Sequence, residues 1–367
     1  MKGSLSQLHR MLFDKGISFV AYSLPGQTKA ITLISYNTIY SKNIDNISDN
    51  QHDGFVFAPF VFSEKYPVWF LKADEIIDKE KDLQSLIAKL EALPDVKQKR
   101  DLDIKSTSKE DYSKAFDEFM FKLKSAVLDK AILSKIVTKL RTEEDLYSIF
   151  IRLSKTYPST FNYLIYLPSG EIWMGATPEL LLRRDSLSFQ TMALAGTQLL
   201  GNRKPKDVVW EQKEIEEQAY VSDYVKKILT SVSESLEVSV TYSVKAGNLV
   251  HLRTDFKVSQ SFDSATALDI AKQLHPTPAV CGIPLEKSRE LILKTEKHNR
   301  AYYTGFLGPM NKDSMSLFVN LRSMQVMQEK FVLYVGGGIT RDSEKEKEWA
   351  ETEAKAQTLL SVIDSVF

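Results

Sequence analysis

The 367-residue sequence contains a single cysteine, Cys281, and carries no excess of charge of either sign. One cysteine excludes an intrachain disulfide and a metal cluster held by several thiolates. Lys and Arg together number 48, as do Asp and Glu, so the basic excess typical of nucleic-acid-binding proteins is missing. No uncharged stretch approaches the roughly 20 apolar residues of a membrane span, and MKGSLSQLHRMLFDKG (1–16) contains no hydrophobic signal core. We therefore expect a cytoplasmic protein that binds neither nucleic acid nor membrane.

The composition is that of a globular protein, with 43% hydrophobic and 26% charged residues. The polar segment QKRDLDIKSTS (98–108) is the one clear shift in composition, and it predicts a loop. The residues before it are rich in strand-like runs, such as 17–24 and 55–62, without a self-contained helical cover. We therefore predict a single large domain over residues 1–367.

Alternating hydrophobic segments predict β-hairpins through the middle and the C-terminal part of the chain. The predicted strand pairs are 161–167 with 172–176, 180–184 with 187–196, 239–245 with 249–258, and 315–326 with 330–339. A further strand is predicted at 130–137, and helices at 74–93, from Ser108 onward, and at 207–232, 264–274, 286–298 and 343–365. Strands that pair with their sequence neighbours, with helices packed against them, indicate an α+β fold with mostly antiparallel sheets.

Two helices each carry a pair of glutamates at helical spacing. Glu214 and Glu217 lie on one, and Glu348 and Glu351 lie on the other, with Lys355 four residues further on. Two such acidic faces opposed across a cleft would suit a hard divalent cation. The alternative is a pair of solvated, salt-bridged surfaces, and the residues alone favour that alternative.

For three other features the residues alone favour a structural role over a functional one. GGGIT (336–340) follows a predicted strand and precedes a predicted helix, so it is either an anion-binding loop or, as the residues alone favour, a tight turn. His251 and His275 lack zinc-binding spacing and are expected to be hydrogen-bonded core or cleft residues. Cys281 is expected to be a small buried residue.

A series of short blocks, from about residue 128 to 360, resembles the chorismate-utilising enzymes and follows the order of that family. The family includes isochorismate synthases, salicylate synthases, anthranilate synthase component I and aminodeoxychorismate synthase component I. The first hundred residues match loosely, so the resemblance divides the domain into an N-terminal part (1–105) and a catalytic part (106–367). The blocks are LDKAILSK (128–135), GATPELLLR (175–183), ALAGTQ (193–198), KEIEEQAYVSD (213–223), HLRTDF (251–256), LHPTPAVCGIP (274–284), RAYYTGFLG (300–308), VNLRS (319–323) and GGGITRDSEKEKEWAETEAK (336–355).

The resemblance implies one large α+β domain, with two mostly antiparallel sheets enclosing helices, that binds the dianion chorismate with the help of Mg²⁺. Glu217 and Glu351 match the family's metal-binding positions, and Glu214 and Glu348 match acidic residues beside them. The remaining matches are implied substrate contacts: Arg322 for the enolpyruvyl carboxylate, Tyr303, Gly337 and Gly338 beside the same carboxylate, Gly196 and Thr197 in the ring pocket, His251 near the ring carboxylate or the leaving group, and Lys355 near the metal.

The resemblance also implies the chemistry. Lys130 matches the lysine that activates water in isochorismate and salicylate synthases, and it can do so only as an uncharged amine. Glu179 matches the acid that protonates the departing C4 hydroxyl, which requires a raised pKa. Ala195 stands where aminodeoxychorismate synthases often carry a nucleophilic lysine, which argues against that branch.

The leading interpretation is therefore a Mg²⁺-dependent isochorismate synthase, an isomerase in which water attacks C2 of chorismate. The alternative is a salicylate synthase, which then eliminates pyruvate. An ammonia-using lyase of the anthranilate type is disfavoured by Lys130, and a catalytically inactive binding protein is disfavoured by the complete set of functional side chains. The product can feed menaquinone, a siderophore or another aromatic route.

Three features depart from the family pattern. Lys135 stands where arginine is common, and Gln218 replaces a frequent histidine beside Glu217. The N-terminal part is short, so we expect no feedback inhibition by tryptophan. Composition and the resemblance favour a monomer.

Overall fold

The computed structural model describes residues 4–27, 29–41, 47, 53–78, 83–96, 103–260 and 262–365. The helices in these ranges are α1 (Leu5–Asp14), α2 (Leu83–Glu91), α3 (Lys109–Lys124), α4 (Leu146–Thr156), α5 (Gln212–Val232), α6 (Ser264–Leu274), α7 (Leu285–Thr295) and α8 (Lys345–Ile363). The strands are β1 (Ser18–Ser23), β2 (Ile31–Ser35), β3 (Ile39–Ser41), β4 (Gly54–Ala58), β5 (Val68–Lys72), β6 (Glu75–Ile77), β7 (Lys130–Leu140), β8 (Phe161–Tyr166), β9 (Ile172–Thr177), β10 (Leu180–Arg184), β11 (Phe189–Leu199), β12 (Leu236–Val238), β13 (Tyr242–Ala246), β14 (Leu249–Val258), β15 (Gly282–Ile283), β16 (Phe306–Met310), β17 (Met315–Val319), β18 (Ser323–Val326) and β19 (Lys330–Ile339).

The strands form two antiparallel sheets, which confirms the expected α+β fold. The first sheet has the order β15-β7-β19-β18-β9-β8-β1-β2-β6. The second has the order β12-β14-β11-β10-β17-β16-β4-β5-β3, and β13 also pairs with β14. Strands from the N-terminal part lie in both sheets, with β1, β2 and β6 in the first and β3, β4 and β5 in the second.

The two sheets face each other across a core rich in aromatic side chains. Alternation along β8 shows this, because Phe161 and Tyr163 point into the space between the sheets while Leu164 and Tyr166 point to the opposite face. The helices lie on the outer faces of the sheets and are not enclosed between them as the resemblance had implied: α1, α2, α4 and α8 cover the first sheet, and α5 and α6 cover the second. A smaller cluster packs α3 and α7 against β7. Within the described ranges, every helix is too short or too polar to span a bilayer.

Several local predictions are confirmed. Ser108 caps α3, its hydroxyl accepting a hydrogen bond from the Asp111 amide at 3.0 Å. The hairpins β8–β9, β10–β11 and β13–β14 and the predicted strand at the start of β7 are all present. In the predicted loop at 98–108, residues 98–102 lie outside the described residues, and 103–108 form neither helix nor strand.

Three local predictions are wrong. The predicted helix at 74–93 is the short strand β6 followed by α2, because Ile76 and Ile77 pair with β2. Gly336–Gly338 do not form a turn but lie within β19, paired with β7. The predicted continuous strand at 315–326 is two strands, β17 in the second sheet and β18 in the first, so the chain crosses between sheets at residues 320–322.

Candidate functional site

A pocket opens between the ends of the two sheets, with about 800 Å³ of empty space including its opening to solvent. Its walls come from β11 and β14 of the second sheet, from β19 of the first, and from the segments around residues 279–280, 303–304 and 321–322. Ten of the residues singled out in the sequence line it: Glu179, Gly196, Thr197, Glu217, His251, Tyr303, Arg322, Gly337, Gly338 and Lys355. Lys130, Glu214, Glu348 and Glu351 are not among the residues that line it.

Lys130 is the first residue of β7, and it is fully buried. Its Nζ lies 3.0 Å from Oε1 of Glu217 on α5, which lines the pocket. Burial alone would raise the pKa of Glu217, but the ammonium groups of Lys130, Lys355 and Lys213 outweigh that effect and hold it below its usual value. Glu217 is therefore a carboxylate.

Glu179 lies directly between β9 and β10, and only 2% of it is exposed. Burial raises the pKa of its carboxyl to about 8, although the nearby charge of Lys130 opposes the shift. The carboxyl thus carries a proton at neutral pH and can donate it to a bound group. Lys130 is near enough for its charge to act on the Glu179 carboxyl, although only Glu179 lines the pocket.

Arg322 supplies a half-buried positive charge to the pocket lining. It lies in the crossing between β17 and β18 and adopts a left-handed backbone conformation, with φ of +47°. Burial lowers the pKa of its guanidinium to about 10, so it remains charged at neutral pH. Nη2 donates to Nε2 of His251 at 2.9 Å, and Nη1 donates to the Ala246 carbonyl at 3.3 Å. Arg322 and His251 therefore form one unit of the pocket wall.

The conformation and packing of Gly196 explain why glycine stands in the segment Ala195–Gly196–Thr197. It has φ of +68° at a β-bulge where the pairing of β11 with β14 shifts register. A Cβ at this position would lie 3.1 Å from the Cβ of Glu214 on α5, so glycine meets both the backbone and the packing requirement. The bulge also directs the Gly196 carbonyl at Nδ1 of His251, at 3.1 Å, and Thr197 Oγ1 lies 3.2 Å from the same nitrogen.

The four predicted metal-binding carboxylates all lie near this pocket, and lysines contact three of them. Besides the Glu217 pair, Lys213 Nζ lies 2.5 Å from Oε1 of Glu348, and Lys355 Nζ lies 2.7 Å from Oε1 of Glu351. Glu214 instead caps α5, accepting a hydrogen bond from the Glu211 amide at 3.0 Å. Across the described ranges, no three His, Cys, Asp or Glu side chains are gathered closely enough to form a metal site in this arrangement.

The donor set nevertheless fits a hard cation. Oε2 of Glu348 is buried without a hydrogen-bond partner. A Cβ on Gly337 would lie 3.6 Å both from that atom and from Oε1 of Glu351, and a Cβ on Gly338 would collide with Oε1 of Glu217. Carboxylate oxygens of Glu348 and Glu351 therefore lie beside Gly337, and one of Glu217 lies beside Gly338, where the absence of side chains leaves them room. Oxygen donors of this kind suit Mg²⁺.

The structure also shows what is contacted by Lys135 and Gln218, the two residues that depart from the family pattern. Lys135 lies 3.2 Å from the ring centroid of Trp349 and contacts Glu353, so it holds α8 against β7. Gln218 points away from the carboxylates, and its amide donates to the Ala193 carbonyl and to Thr254 Oγ1, both at 3.1 Å. Each fixes a helix that carries two of the acidic residues.

Lys213 and Asn320 are relevant residues that the sequence reasoning missed. For Lys213 a signal existed, because it precedes Glu217 by four residues and so shares its helix face. For Asn320 no signal existed, because its partners are distant in sequence.

Comparisons with known proteins agree with this geometry. A family model described as chorismate binding enzyme matches residues 41–364. Isochorismate synthase DhbC of Bacillus subtilis is 30% identical over 266 residues, which are 68% of this chain and 67% of that protein. Isochorismate synthase EntC of Escherichia coli is 29% identical over 248 residues, 64% of this chain, and the match spans only 62% of that protein.

Solved structures show the same fold. A putative 2,3-dihydroxybenzoate-specific isochorismate synthase, DhbC from Bacillus anthracis, matches with a TM-score of 0.79 and 25% identity, over 98% of this chain and 99% of that one. Anthranilate synthase component I from Streptococcus pneumoniae matches with a TM-score of 0.68 and 18% identity, over 93% and 89% of the two chains. The second likeness supports the fold alone.

Proposed function

The chain belongs to the chorismate-binding enzyme family, and on that premise we propose that it is an isochorismate synthase, an isomerase that converts chorismate into isochorismate. The observation that carries the proposal is the acid of the pocket: Glu179 is buried, its pKa is raised to about 8, and it shares one cavity with the cation Arg322. A dianion that must lose a hydroxyl needs both a fixed positive charge and a proton donor.

Binding of the substrate is assigned to pocket residues other than the acid Glu179. Arg322 offers a planar fork of donors for the enolpyruvyl carboxylate, a geometry that lysine lacks. Tyr303 and the Gly337–Gly338 backbone lie on the same pocket and complete this contact. Gly196 and Thr197 border the ring, and His251 acts through Arg322, which it contacts.

The reaction is assigned to two residues. Lys130, as an uncharged amine, takes a proton from the water that attacks C2, and Glu179 gives its proton to the hydroxyl that leaves C4. The ring double bonds shift. One water molecule is added at C2 and one is lost from C4, so the overall reaction is an isomerisation. In the structure Lys130 is paired with the Glu217 carboxylate as an ammonium group, so this role requires it to lose that proton and leave the pair before it can accept a proton from water.

We assign the metal to Glu217, Glu348 and Glu351, with Glu214 beside them. A bound Mg²⁺ would supply positive charge for the ring carboxylate of the substrate. Support comes from the unpartnered Glu348 oxygen and from the carboxylate oxygens that lie beside Gly337 and Gly338. We further propose that the enzyme works in the cytoplasm and is a monomer. Light scattering of the purified protein tests its oligomeric state.

Product analysis tests the proposal directly. The purified protein is incubated with chorismate, with Mg²⁺ or with EDTA, and the products are separated by chromatography. Isochorismate is expected as the enzymatic product, and Mg²⁺ is expected to be required. Salicylate with pyruvate as the main products would instead identify a salicylate synthase, and anthranilate formed when ammonia is supplied would identify a lyase.

A further inference from the structure

Asn320 lies in the short crossing between β17 and β18 and is completely buried. Its side chain accepts a hydrogen bond from the Tyr163 hydroxyl at 2.6 Å and donates one to the Tyr302 carbonyl at 2.8 Å. Its backbone amide donates to the Gly305 carbonyl, and its carbonyl accepts from the Thr304 amide, both at 2.8 Å. A carbonyl oxygen only accepts, so the contact with Tyr302 fixes the orientation of the side-chain amide.

These hydrogen bonds join two segments whose backbones are held in an unfavourable conformation. Arg322, two residues after Asn320, has φ of +47°, and Ala301 and Thr304 have φ of +49° and +61°. Left-handed conformations are uncommon for residues other than glycine, and they persist only where the surroundings enforce them. Asn320 belongs to the segment that contains Arg322 and makes hydrogen bonds to the segment that contains Ala301 and Thr304, so it links the two enforced conformations.

The two segments each contribute one residue to the pocket. Tyr303 lies between Tyr302 and Thr304, both of which bond to Asn320, and Arg322 follows Asn320 by two positions. Tyr303 and Arg322 both line the pocket, whereas Asn320 does not. They are also the two side chains assigned above to one carboxylate of the substrate.

We propose that Asn320 is a positioning residue that holds Tyr303 and Arg322 in one mutual arrangement and thereby forms the carboxylate-binding wall. The identity of the carboxylate, the enolpyruvyl group of chorismate, rests on the proposed function. The positioning itself rests on the hydrogen bonds alone.

The arrangement predicts an effect on substrate binding rather than on the chemical step. Glu179 is held independently of the Asn320 side chain, because its carbonyl accepts from the Val319 amide at 3.0 Å and Leu180 pairs with Phe318. Lys130 lies on β7 in the first sheet. Loss of the Asn320 side chain should therefore leave the acid and the base in place while it releases the carboxylate contacts.

A matched control is available in Asn162 of β8. It is also buried, and its amide donates to the carbonyls of Tyr157 and Thr160 at 3.1 and 3.0 Å. Asn162 does not line the pocket. Replacement of either asparagine by alanine removes comparable hydrogen bonds from the interior, so a purely structural role predicts the same outcome for both.

The test compares the wild type with Asn320→Ala, Asn162→Ala and Tyr163→Phe, which removes one of the two side-chain hydrogen bonds of Asn320. Thermal unfolding, KM for chorismate and kcat are measured for each protein. Both alanine variants should unfold at lower temperature. Of the two alanine variants, only Asn320→Ala should raise KM, on the order of tenfold, with kcat changed much less. Tyr163→Phe should raise KM by a smaller factor. Equal KM values in the two alanine variants would overturn the proposal, and Tyr163→Phe decides the matter if Asn320→Ala does not fold.

Crystal structures of the wild type and of Asn320→Ala or Tyr163→Phe separate this inference from the proposed function. If the wild type does not convert chorismate, the proposed function fails, but positioning is still decided by the coordinates. Movement of Arg322 away from its left-handed φ, with loss of its contact to His251, supports the positioning role. An unchanged Arg322 and Tyr303 in the variant would refute it.

Discussion

Arg322 and His251 form a hydrogen bond in which the guanidinium Nη2 donates to the imidazole Nε2 at 2.9 Å. Nδ1 of the same ring lies 3.1 Å from the Gly196 carbonyl, which only accepts, so Nδ1 carries the proton and Nε2 presents its lone pair. Burial, with the charges of Arg322 and Lys355, lowers the pKa of His251 to about 3. The imidazole is therefore neutral at physiological pH and orients the guanidinium instead of adding charge.

Replacement of His251 by phenylalanine should raise KM for chorismate on the order of tenfold, because Arg322 loses a charge-assisted acceptor. Glutamine offers a carbonyl oxygen as a substitute acceptor, so His251→Gln should recover part of the loss. Steady-state kinetics of the three proteins at one pH measures this. Identical KM values for the phenylalanine and glutamine variants would contradict the orienting role.

Activity should fall as the pH rises through about 8, because Glu179 then loses the proton that it donates. Glu179→Gln should have little activity at any pH in a pH–rate profile measured by product chromatography. A wild-type profile that stays flat from pH 6 to 10 would be inconsistent with this acid.

The same carboxyl predicts a change in stability with a definite sign. The pKa of Glu179 is higher in the folded protein than the ordinary value of 4.5. Its contribution to the free energy of unfolding is therefore fully present below about pH 4.5 and is lost as the pH rises through about 8. Glu179→Gln stays neutral, so its free energy of unfolding should exceed that of the wild type at pH 9, by an amount on the order of a few kcal/mol. At pH 5 the two proteins should differ little, and urea unfolding at the two pH values provides the comparison.

Lys130→Ala should abolish turnover while chorismate still binds, because the carboxylate contacts are assigned to other residues, Arg322 and Tyr303. Isothermal titration calorimetry measures binding, and chromatography measures turnover. Lys139→Ala, on the exposed end of the same strand, serves as the control and should retain activity. Normal turnover by Lys130→Ala would refute its role as the base.

Magnesium binding should respond in opposite directions to two substitutions. Glu351→Gln removes a carboxylate and should sharply weaken the binding of Mg²⁺. Lys213→Gln removes an ammonium group that lies 2.5 Å from Glu348, so binding should tighten. Calorimetric titration of the protein with MgCl₂, without chorismate, reports both changes. Lys347 is an exposed lysine of the same region, and Lys347→Gln should leave the affinity for Mg²⁺ unchanged. A lower affinity of Lys213→Gln for Mg²⁺ would contradict the assignment of Glu348 to the metal site.

Local sequence signals predicted most of the elements. The Ser108 cap, the hairpin β8–β9 and the acidic helix faces depend on residues close together in the chain, and such signals are readable without the fold. Glu348 shows the limit of this reasoning. Helical spacing placed it beside Glu351, but only the tertiary structure shows that one of its oxygens is buried without a partner.

The errors arose where distant pairing overrides local preference. Gly336–Gly338 resemble a turn by composition, yet β7 supplies a ladder that keeps them extended. Residues 315–326 alternate like one strand, but hydrogen bonds from residues near 303 and from β8 divide that run at Asn320. No window of neighbouring residues contains this information.

The glycine stretch of β19 also bears on how the pocket can be re-engineered. A wall built of main chain has no side chains to exchange, and a methyl group at Gly338 would already strike Glu217. Mutant libraries directed at Gly338 should therefore consist largely of inactive clones. Altered substrate scope must instead be sought on the facing surface, where Leu194, Ala195 and Leu321 offer side chains of adjustable size.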